Sequence, residues 1–175
     1  SFFMIRLFIG LDLPDEIKDE IYALRGGLEG AIWHPKDKLN LNLRFVGDVE
    51  EPVAEDVLKE LRYIRFPAFY MSFKEINYFA SKNIPHHIWT GVSEPRIIAE
   101  LQQKIDLAVR KAGAGEADRF KFVPHVSLAK LQGTTIDEVF RYIALNNLFH
   151  SKEFLVDSFS LFASHARENG EGKYY

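Results

Sequence analysis

The chain has 175 residues, of which 47% are hydrophobic and 27% charged, with a net charge of −3 and no cysteine. This composition excludes an intrinsically disordered chain, and the missing cysteines exclude disulfides and cysteine-based metal sites or nucleophiles. Proteins that grip long nucleic acids by their phosphates usually carry a strong basic excess, which is absent here. Any nucleic-acid partner should therefore be short, or bound at one end.

The segments that direct proteins to membranes or for export are not evident. No apolar run approaches the roughly 18 residues that a membrane helix needs. The opening stretch "SFFMIRLFIGLDLP" lacks a basic n-region followed by a small-residue cleavage site, so we interpret it as part of the fold. We therefore expect no membrane partner and a cytoplasmic location, with which the lack of cysteine is compatible.

Strands and helices interleave along the chain. Helices are indicated by apolar residues three and four positions apart, and strands by short apolar or alternating runs. The most regular helical pattern, residues 94–113, places Ile98, Leu101, Ile105 and Ala108 or Val109 on one stripe. The predicted strands are 5–13, 39–46, 66–79, 86–92, 122–131 and 154–164, and the predicted helices are 15–28, 51–64, 94–113 and 135–147. The strand at 39–46 is stopped by Gly47 and Asp48, and the helix at 51–64 has Val53, Val57, Leu58 and Leu61 at helical spacing. The tail either forms a hairpin or frays.

The order of these elements favours an α+β fold over a doubly wound α/β fold, because the neighbouring strands suit antiparallel pairing. No linker divides the chain, so we expect a single domain over residues 1–175. One internal repeat is present: "LNLNLRFVGD" and "PHVSLAKLQG" each predict a strand that begins with a polar pair, ends in a turn and is followed by an amphipathic helix. Two such units predict two pseudo-symmetric lobes of antiparallel sheet, with flanking helices, around a central cleft.

The polar pairs of the two repeated segments carry side chains that are suited to bind a small anion. Residues i and i+2 of a strand share a face, so Asn40 and Asn42 should point together, as should His125 and Ser127. Their leucine and valine neighbours should then be buried on the opposite side. If the lobes face each other, two amides, a hydroxyl and an imidazole line one cleft, and they can donate hydrogen bonds and move one proton.

Five stretches in this order, "RLFIGLDLP", "LNLNLRFVGDV", "HHIWTGV", "FKFVPHVSLAKL" and "FLVDSFSLFAS", resemble the two-histidine phosphoesterase superfamily. The chain is most similar to its bacterial and archaeal 2′-5′ RNA ligase-like, RNA 2′,3′-cyclic phosphodiesterase family. The hallmark of that family is a duplicated His–hydrophobic–Thr/Ser–hydrophobic motif, one per lobe. The second copy is intact at His125 and Ser127, whereas Asn40 stands in place of the first histidine and Asn42 in place of the threonine.

The resemblance implies an RNA 2′,3′-cyclic phosphodiesterase or 2′-5′ RNA ligase-like protein that needs no metal or cofactor. It implies His125 as acid or base and Ser127 as a phosphate donor. An asparagine exchanges no proton near neutral pH, and losing one general acid or base typically costs about 10²–10⁴ in rate, so we expect weakened turnover. The expected phosphate or substrate contacts are Asn40, Asn42, Arg44, Lys130, Phe45 and His86, with charges at the rim as the equal alternative for Arg44 and Lys130.

The expected partner is an RNA end or a small nucleotide, bound by a monomer. The alternative from another class is a catalytically inactive nucleotide- or RNA-end-binding module, and a third reading is a structural or interaction protein that keeps the fold. Phe45, Phe122 and Tyr78 are candidates for base stacking, although core packing is the ordinary role of such residues. His34, His86 and His87 are candidates to substitute for the missing histidine, with His86 preferred.

Overall fold

The computed structural model describes residues 4–116, 121–166 and 172–174. Its elements are β1 (Met4–Leu11), α1 (Asp15–Tyr22), β2 (Ala31–Trp33), a short 3-10 helix (Lys36–Lys38), β3 (Leu41–Glu50), α2 (Glu51–Leu61), β4 (Phe69–Met71), β5 (Phe73–Ser81), β6 (Ile84–Val92), α3 (Pro95–Lys111), β7 (Val126–Leu131), α4 (Ile136–Asn146), β8 (Phe154–Val156), β9 (Ser160–Ala166) and β10 (Gly172–Tyr174).

Two four-stranded sheets dominate the fold. The first has the strand order β10-β9-β1-β3 and defines the first lobe; the second has the order β2-β7-β6-β5 and defines the second lobe. A two-stranded ribbon of β4 and β8 completes the pairing, and every strand pair is antiparallel. The predicted α+β fold class is confirmed.

The element order repeats along the chain. The series β1-α1-β3-α2-β4-β5 is followed by β6-α3-β7-α4-β8-β9, if β2 and its 3-10 helix are set aside as an insertion. The last strand of each series pairs with the first strand of the other, β5 with β6 and β9 with β1, while β4 pairs with β8. Each sheet thus contains strands from both halves of the sequence.

The helices bury the stripes that their spacing predicts, with one exception. In α3 the side chains of Ile98, Leu101, Ile105, Ala108 and Val109 are all buried. Full burial of one large aliphatic side chain stabilises a fold by about 1.5–3 kcal/mol, so this stripe is a major contribution to stability. In α2, Val57 and Leu61 are buried as predicted, but Leu58 is 37% exposed and Ala54 occupies the inward position.

Several boundaries differ from the sequence prediction for local backbone reasons. β3 does not stop at Gly47: the glycine adopts a φ of 95° at a bulge opposite β1, and the strand continues to Glu50. The first helix ends at Tyr22, before Gly26 and Gly27, whose φ angles of 100° and 74° are incompatible with a continuing helix. The predicted strand at 154–164 is two strands. In the tail, β10 pairs antiparallel with β9, as the hairpin alternative expects, and residues 167–171 lie outside the described residues. Among the described helices, none has the length and apolar character of a membrane span.

Candidate active site

The two polar pairs occupy equivalent places in the two lobes. Asn40 comes one residue before β3 and His125 one residue before β7. From these positions the burial sequence is the same: a half-buried residue, a buried one, a polar one, two buried ones and an exposed one. As predicted, the leucines beside the asparagines, Leu39, Leu41 and Leu43, are at most 2% exposed.

A β-bulge at the same place in both strands produces this pattern. In the β1–β3 pair the register shifts between Ile9 and Gly10, so that Leu43 has no partner opposite. In the β6–β7 pair the register shifts between Ile88 and Trp89, and Leu128 is the residue left without a partner. Because a bulge adds one residue, it reverses which face the following side chains occupy.

The bulge corrects the prediction for Arg44. Strict alternation would place its side chain beside Asn42, but the bulge turns it to the buried face, and Phe45 takes the place on the face of Asn42. The Arg44 guanidinium is 8% exposed and pairs with Asp106 of α3, with 2.9 Å between Nε and Oδ1. It also donates to the backbone carbonyls of Phe45 at 2.9 Å and Glu116 at 2.5 Å. These contacts make Arg44 a structural residue that joins β3 to α3, not a phosphate ligand.

The first half-site, which we define as Asn40, Asn42 and Phe45, lies at a cavity of about 470 Å³. Asn40 is half-buried, Asn42 is exposed, and Phe45 is 61% exposed. Phe8 and Phe162 form an apolar wall, with their rings stacked 4.7 Å apart between centroids. The remaining lining residues are charged: Asp12, Lys18, Asp37 and Lys38. The cavity therefore combines aromatic surface and amide donors with two lysines and two aspartates.

The second half-site, which we define as His125, Ser127, Lys130 and His87, lies on one face of the second sheet, because Lys130 is opposite His87 and Ser127 is opposite Trp89. The imidazole of His125 donates from Nδ1 to the carbonyl of Val123 at 2.6 Å, which leaves Nε2 as the position for proton exchange. Its ring meets those of Phe79 and Trp89 at centroid distances of 5.1 Å and 5.4 Å. Burial among these groups lowers the pKa of His125, against a smaller upward effect of the Val123 hydrogen bond, so the neutral imidazole is favoured.

His86, the contact that the sequence predicts, adjoins this half-site through its neighbour His87. The Nδ1 atoms of His86 and His87 lie 2.7 Å apart, and His87 is directly opposite Lys130 in the β6–β7 register. Burial lowers the pKa of His87, and the nearby His86, His34, Lys130 and His125 lower it further. The described residues contain no cluster of histidine and carboxylate side chains arranged to hold a metal ion.

His34 makes the contact that the sequence does not reveal. Its backbone N–H donates to the carbonyl of Leu128 at 2.9 Å, directly after β2. This anchor brings its imidazole Nε2 to 3.1 Å from Oγ of Ser127. Burial lowers the pKa of His34, and the positive charge of Lys38 lowers it further.

The segment from His34 to Asn40 joins the two half-sites. It leaves the second sheet at β2 and enters the first at β3 after only seven residues, which span at most about 25 Å. Lys38 lines the first-lobe cavity and also acts electrostatically on His34. The residues that line that cavity come from the first lobe and this segment, and none of them belongs to the second half-site.

The two other aromatic candidates have packing roles. Tyr78 turns towards α4, where its ring meets that of Phe140 edge-on at 5.9 Å, and Phe122 packs against the core. The aromatic residues beside the half-sites are instead Phe8, Phe162, Phe79 and Trp89, which the sequence reading did not select. Only the strand register could have identified them, because Phe8 lies opposite Phe45 and Trp89 opposite Ser127.

Comparison with known proteins agrees with this architecture. The family model described as LigT like Phosphoesterase matches residues 11–90. The RNA 2′,3′-cyclic phosphodiesterase of Thermotoga maritima is 28% identical over 134 residues, which cover 73% of this chain and 71% of that protein. The protein of the same name from Aquifex aeolicus is 24% identical over 147 residues, covering 79% and 78% of the two chains.

Solved structures show the same fold. Escherichia coli LigT complexed with 3′-AMP superposes with a TM-score of 0.75 at 23% identity, over 98% of this chain and 94% of the other. TT0787 of Thermus thermophilus superposes with a TM-score of 0.73 at 21% identity, over 97% and 93%. Together with the two strand–helix units and their paired motifs, the family model and the named relatives support assignment of the chain to the two-histidine phosphoesterase family, and the solved structures support its fold.

Proposed function

We propose that this protein is an RNA 2′,3′-cyclic phosphodiesterase, also described as a 2′-5′ RNA ligase-like protein, whose turnover is weakened at its first motif. The observation that carries the proposal is the equivalence of Asn40–Asn42 and His125–Ser127 at bulged strand starts of two repeated units. The relatives named RNA 2′,3′-cyclic phosphodiesterase support the reaction class.

The substrate class follows from the chemistry of the half-sites. Neutral amide donors from Asn40 and Asn42, the hydroxyl of Ser127 and the exposed ammonium of Lys130 are suited to phosphate oxygens. Phe45, beside the stacked rings of Phe8 and Phe162, offers a face for a base, and stacking is worth about 1–3 kcal/mol per base. The net charge of −3 suits one nucleotide or an RNA end better than a long strand.

His125 is the proposed general base. Its Nδ1 is held by Val123, and its lowered pKa keeps Nε2 unprotonated and able to take a proton from the attacking water. Asn40 cannot protonate the leaving ribose oxygen from the equivalent position in the first lobe. We therefore expect wild-type turnover to be about 10²–10⁴ below that of a variant with the histidine restored.

The test is hydrolysis of nucleoside 2′,3′-cyclic monophosphates by the wild type, Asn40→His and His125→Ala. We expect slow turnover in the wild type, a gain in kcat in Asn40→His, and loss of turnover in His125→Ala. His150→Gln is the matched control, because His150 makes a similar hydrogen bond to a serine, Ser72 at 2.9 Å, outside both half-sites. Absence of turnover in both the wild type and Asn40→His would refute the hydrolase proposal.

Asn40 itself favours a second candidate, a nucleotide- or RNA-end-binding module without catalysis. This candidate predicts saturable binding of a nucleoside 2′-monophosphate with no hydrolysis of any cyclic substrate. Lys130→Ala should then weaken binding, because the charge of Lys130 is exposed at the second half-site. Isothermal titration calorimetry beside the turnover assay separates the two candidates.

The proposal includes a single domain that acts as a monomer in the cytoplasm. The exchange of β5 and β9 between the sheets supports one folding unit, since neither sheet contains strands from only one half of the chain. Size-exclusion chromatography with light scattering tests the monomer, and a single denaturation transition by two spectroscopic probes tests the single domain.

A further inference from the structure

We propose that His34 and Ser127 form a proton relay that supplies the general acid missing at Asn40. The inference rests on the proposed hydrolase function and adds a residue outside both motif copies. Its basis is the position of the His34 imidazole, with Nε2 3.1 Å from Oγ of Ser127, at the side of the second half-site that leads to Asn40.

The local fold holds the imidazole in this position. β2 pairs with β7, and the next residue, His34, keeps a backbone hydrogen bond to the carbonyl of Leu128. The bulge at Leu128 turns Ser127 and Lys130 to the same face, so the hydroxyl is available to both His34 and a ligand. A serine hydroxyl has one donor and two acceptor positions, so it can accept from His34 and donate to an ester oxygen at the same time.

The proposed hydrolysis forms one bond to phosphorus, breaks another and moves protons through His125, His34 and Ser127. The water oxygen bonds to phosphorus while the bond from phosphorus to one ribose oxygen breaks. The proton of the water passes to Nε2 of His125. The imidazolium proton of His34 passes to Oγ of Ser127, whose own proton passes to the leaving ribose oxygen. In this arrangement His34 is a positioning residue, since it reaches the substrate only through Ser127.

The charges around His34 make the protonation of its imidazole depend on bound substrate. Burial and Lys38 of the 3-10 helix disfavour the imidazolium in the free protein, and His87 of β6 is the other titratable group whose charge couples to it. An anionic phosphate bound at Ser127 has the opposite sign and favours the imidazolium. The acid form should therefore be populated in the complex more than in the free protein.

The decisive experiment places His34→Gln in two backgrounds, wild type and Asn40→His, and measures kcat and KM for a nucleoside 2′,3′-cyclic monophosphate. Glutamine can keep a hydrogen bond to Ser127 but cannot release the proton. We expect kcat to fall at least about tenfold in the wild type and less than about threefold in the Asn40→His background, where the restored imidazole protonates the leaving group. His150→Gln, which alters the other His–Ser contact, should change neither.

Equal losses in the two backgrounds would overturn the relay, because they indicate a structural effect, and would leave the hydrolase proposal standing. Turnover confined to proteins with the restored histidine would also overturn the relay alone. No turnover in any variant would refute both proposals. NMR on the unmodified protein is independent of the folding of His34→Gln: saturation with a nucleoside 2′-monophosphate should raise the pKa of His34, and an unchanged value would overturn the relay.

Discussion

The buried ion pair between Arg44 and Asp106 distinguishes a structural arginine from a phosphate ligand. The perturbation is Arg44→Met, which keeps a side chain of similar length but removes the charge. Asp106 would lose its partner at 2.9 Å, and the carbonyls of Phe45 and Glu116 would lose a donor. Nucleotide binding should be nearly unaffected, because the guanidinium faces α3 and not the first-lobe cavity.

The magnitude follows from burial. The side chains of Arg44 and Asp106 are only 8% and 14% exposed, and removing one partner of a buried pair typically costs about 3–5 kcal/mol. Arg110 also contacts Asp106, at 3.1 Å, and keeps part of its charge neutralised. We therefore expect a loss of about 3 kcal/mol, which corresponds to a decrease in Tm of about 6–12 °C for a chain of this size.

Urea denaturation of four proteins measures this loss: wild type, Arg44→Met, the double variant Arg44→Met/Asp106→Leu, and Arg6→Met. The double variant removes both charges and should recover more than half of the loss. Arg6→Met is the matched control, because Arg6 and Asp48 have the same pairing atoms at 3.0 Å but are 45% and 40% exposed, so the cost should be below about 1 kcal/mol. A tenfold loss of nucleotide affinity in Arg44→Met, with a stability loss no larger than in the control, would refute the structural role.

Three further predictions concern stability, each measured by denaturation. Gly10→Ala should cost about 1–3 kcal/mol, because its Cβ would lie 2.7 Å from the backbone oxygen of Leu41; an unchanged midpoint would contradict the tight contact. Thr135→Ala should cost about 1 kcal/mol, because Thr135 and Glu138 form a capping box at the start of α4, and Thr135→Ser should restore most of the loss. The folded-state pKa of His125 lies below its unfolded value of about 6.5, so its contribution is present above that pH and is lost as the pH falls towards the folded pKa. His125→Gln should therefore flatten the pH dependence of stability below about pH 6.5, and an unaltered slope would contradict the lowered pKa.

Hydrophobic periodicity was sufficient for the fold class and for most of the elements. Regular patterns such as the stripe of α3 report burial directly, because a helix that packs against a sheet must carry apolar residues on one face. The two similar sequences at the starts of β3 and β7 also identified the equivalent positions Asn40 and His125. Boundaries at glycines were less accurate, since a glycine can end a strand or, as Gly47 does, accommodate a bulge within one.

The errors at the site have one physical cause. A bulge inserts a residue into a strand without any local sequence signal, and it reverses the faces of all the following side chains. Strict alternation would place Arg44 on the face of Asn42, whereas the register places Phe45 there. Contacts between distant segments, such as that of His34 with Ser127, depend on strand order and could not follow from spacing alone.

The two half-sites share one arrangement of positions and differ in chemistry. In each lobe four equivalent positions lie on one sheet face. They are the residue just before the strand, the residue two positions later, the exposed residue after the bulge, and the residue opposite that one on the neighbouring strand. The first lobe fills these positions with groups that do not titrate near neutral pH, and the second with groups that carry or exchange protons. Among these equivalent positions, a base and an acid are therefore available only in the second lobe, while those of the first lobe supply hydrogen bonds and aromatic surface. The positions hold Asn40, Asn42, Phe45 and Phe8 in the first lobe, and His125, Ser127, Lys130 and His87 in the second.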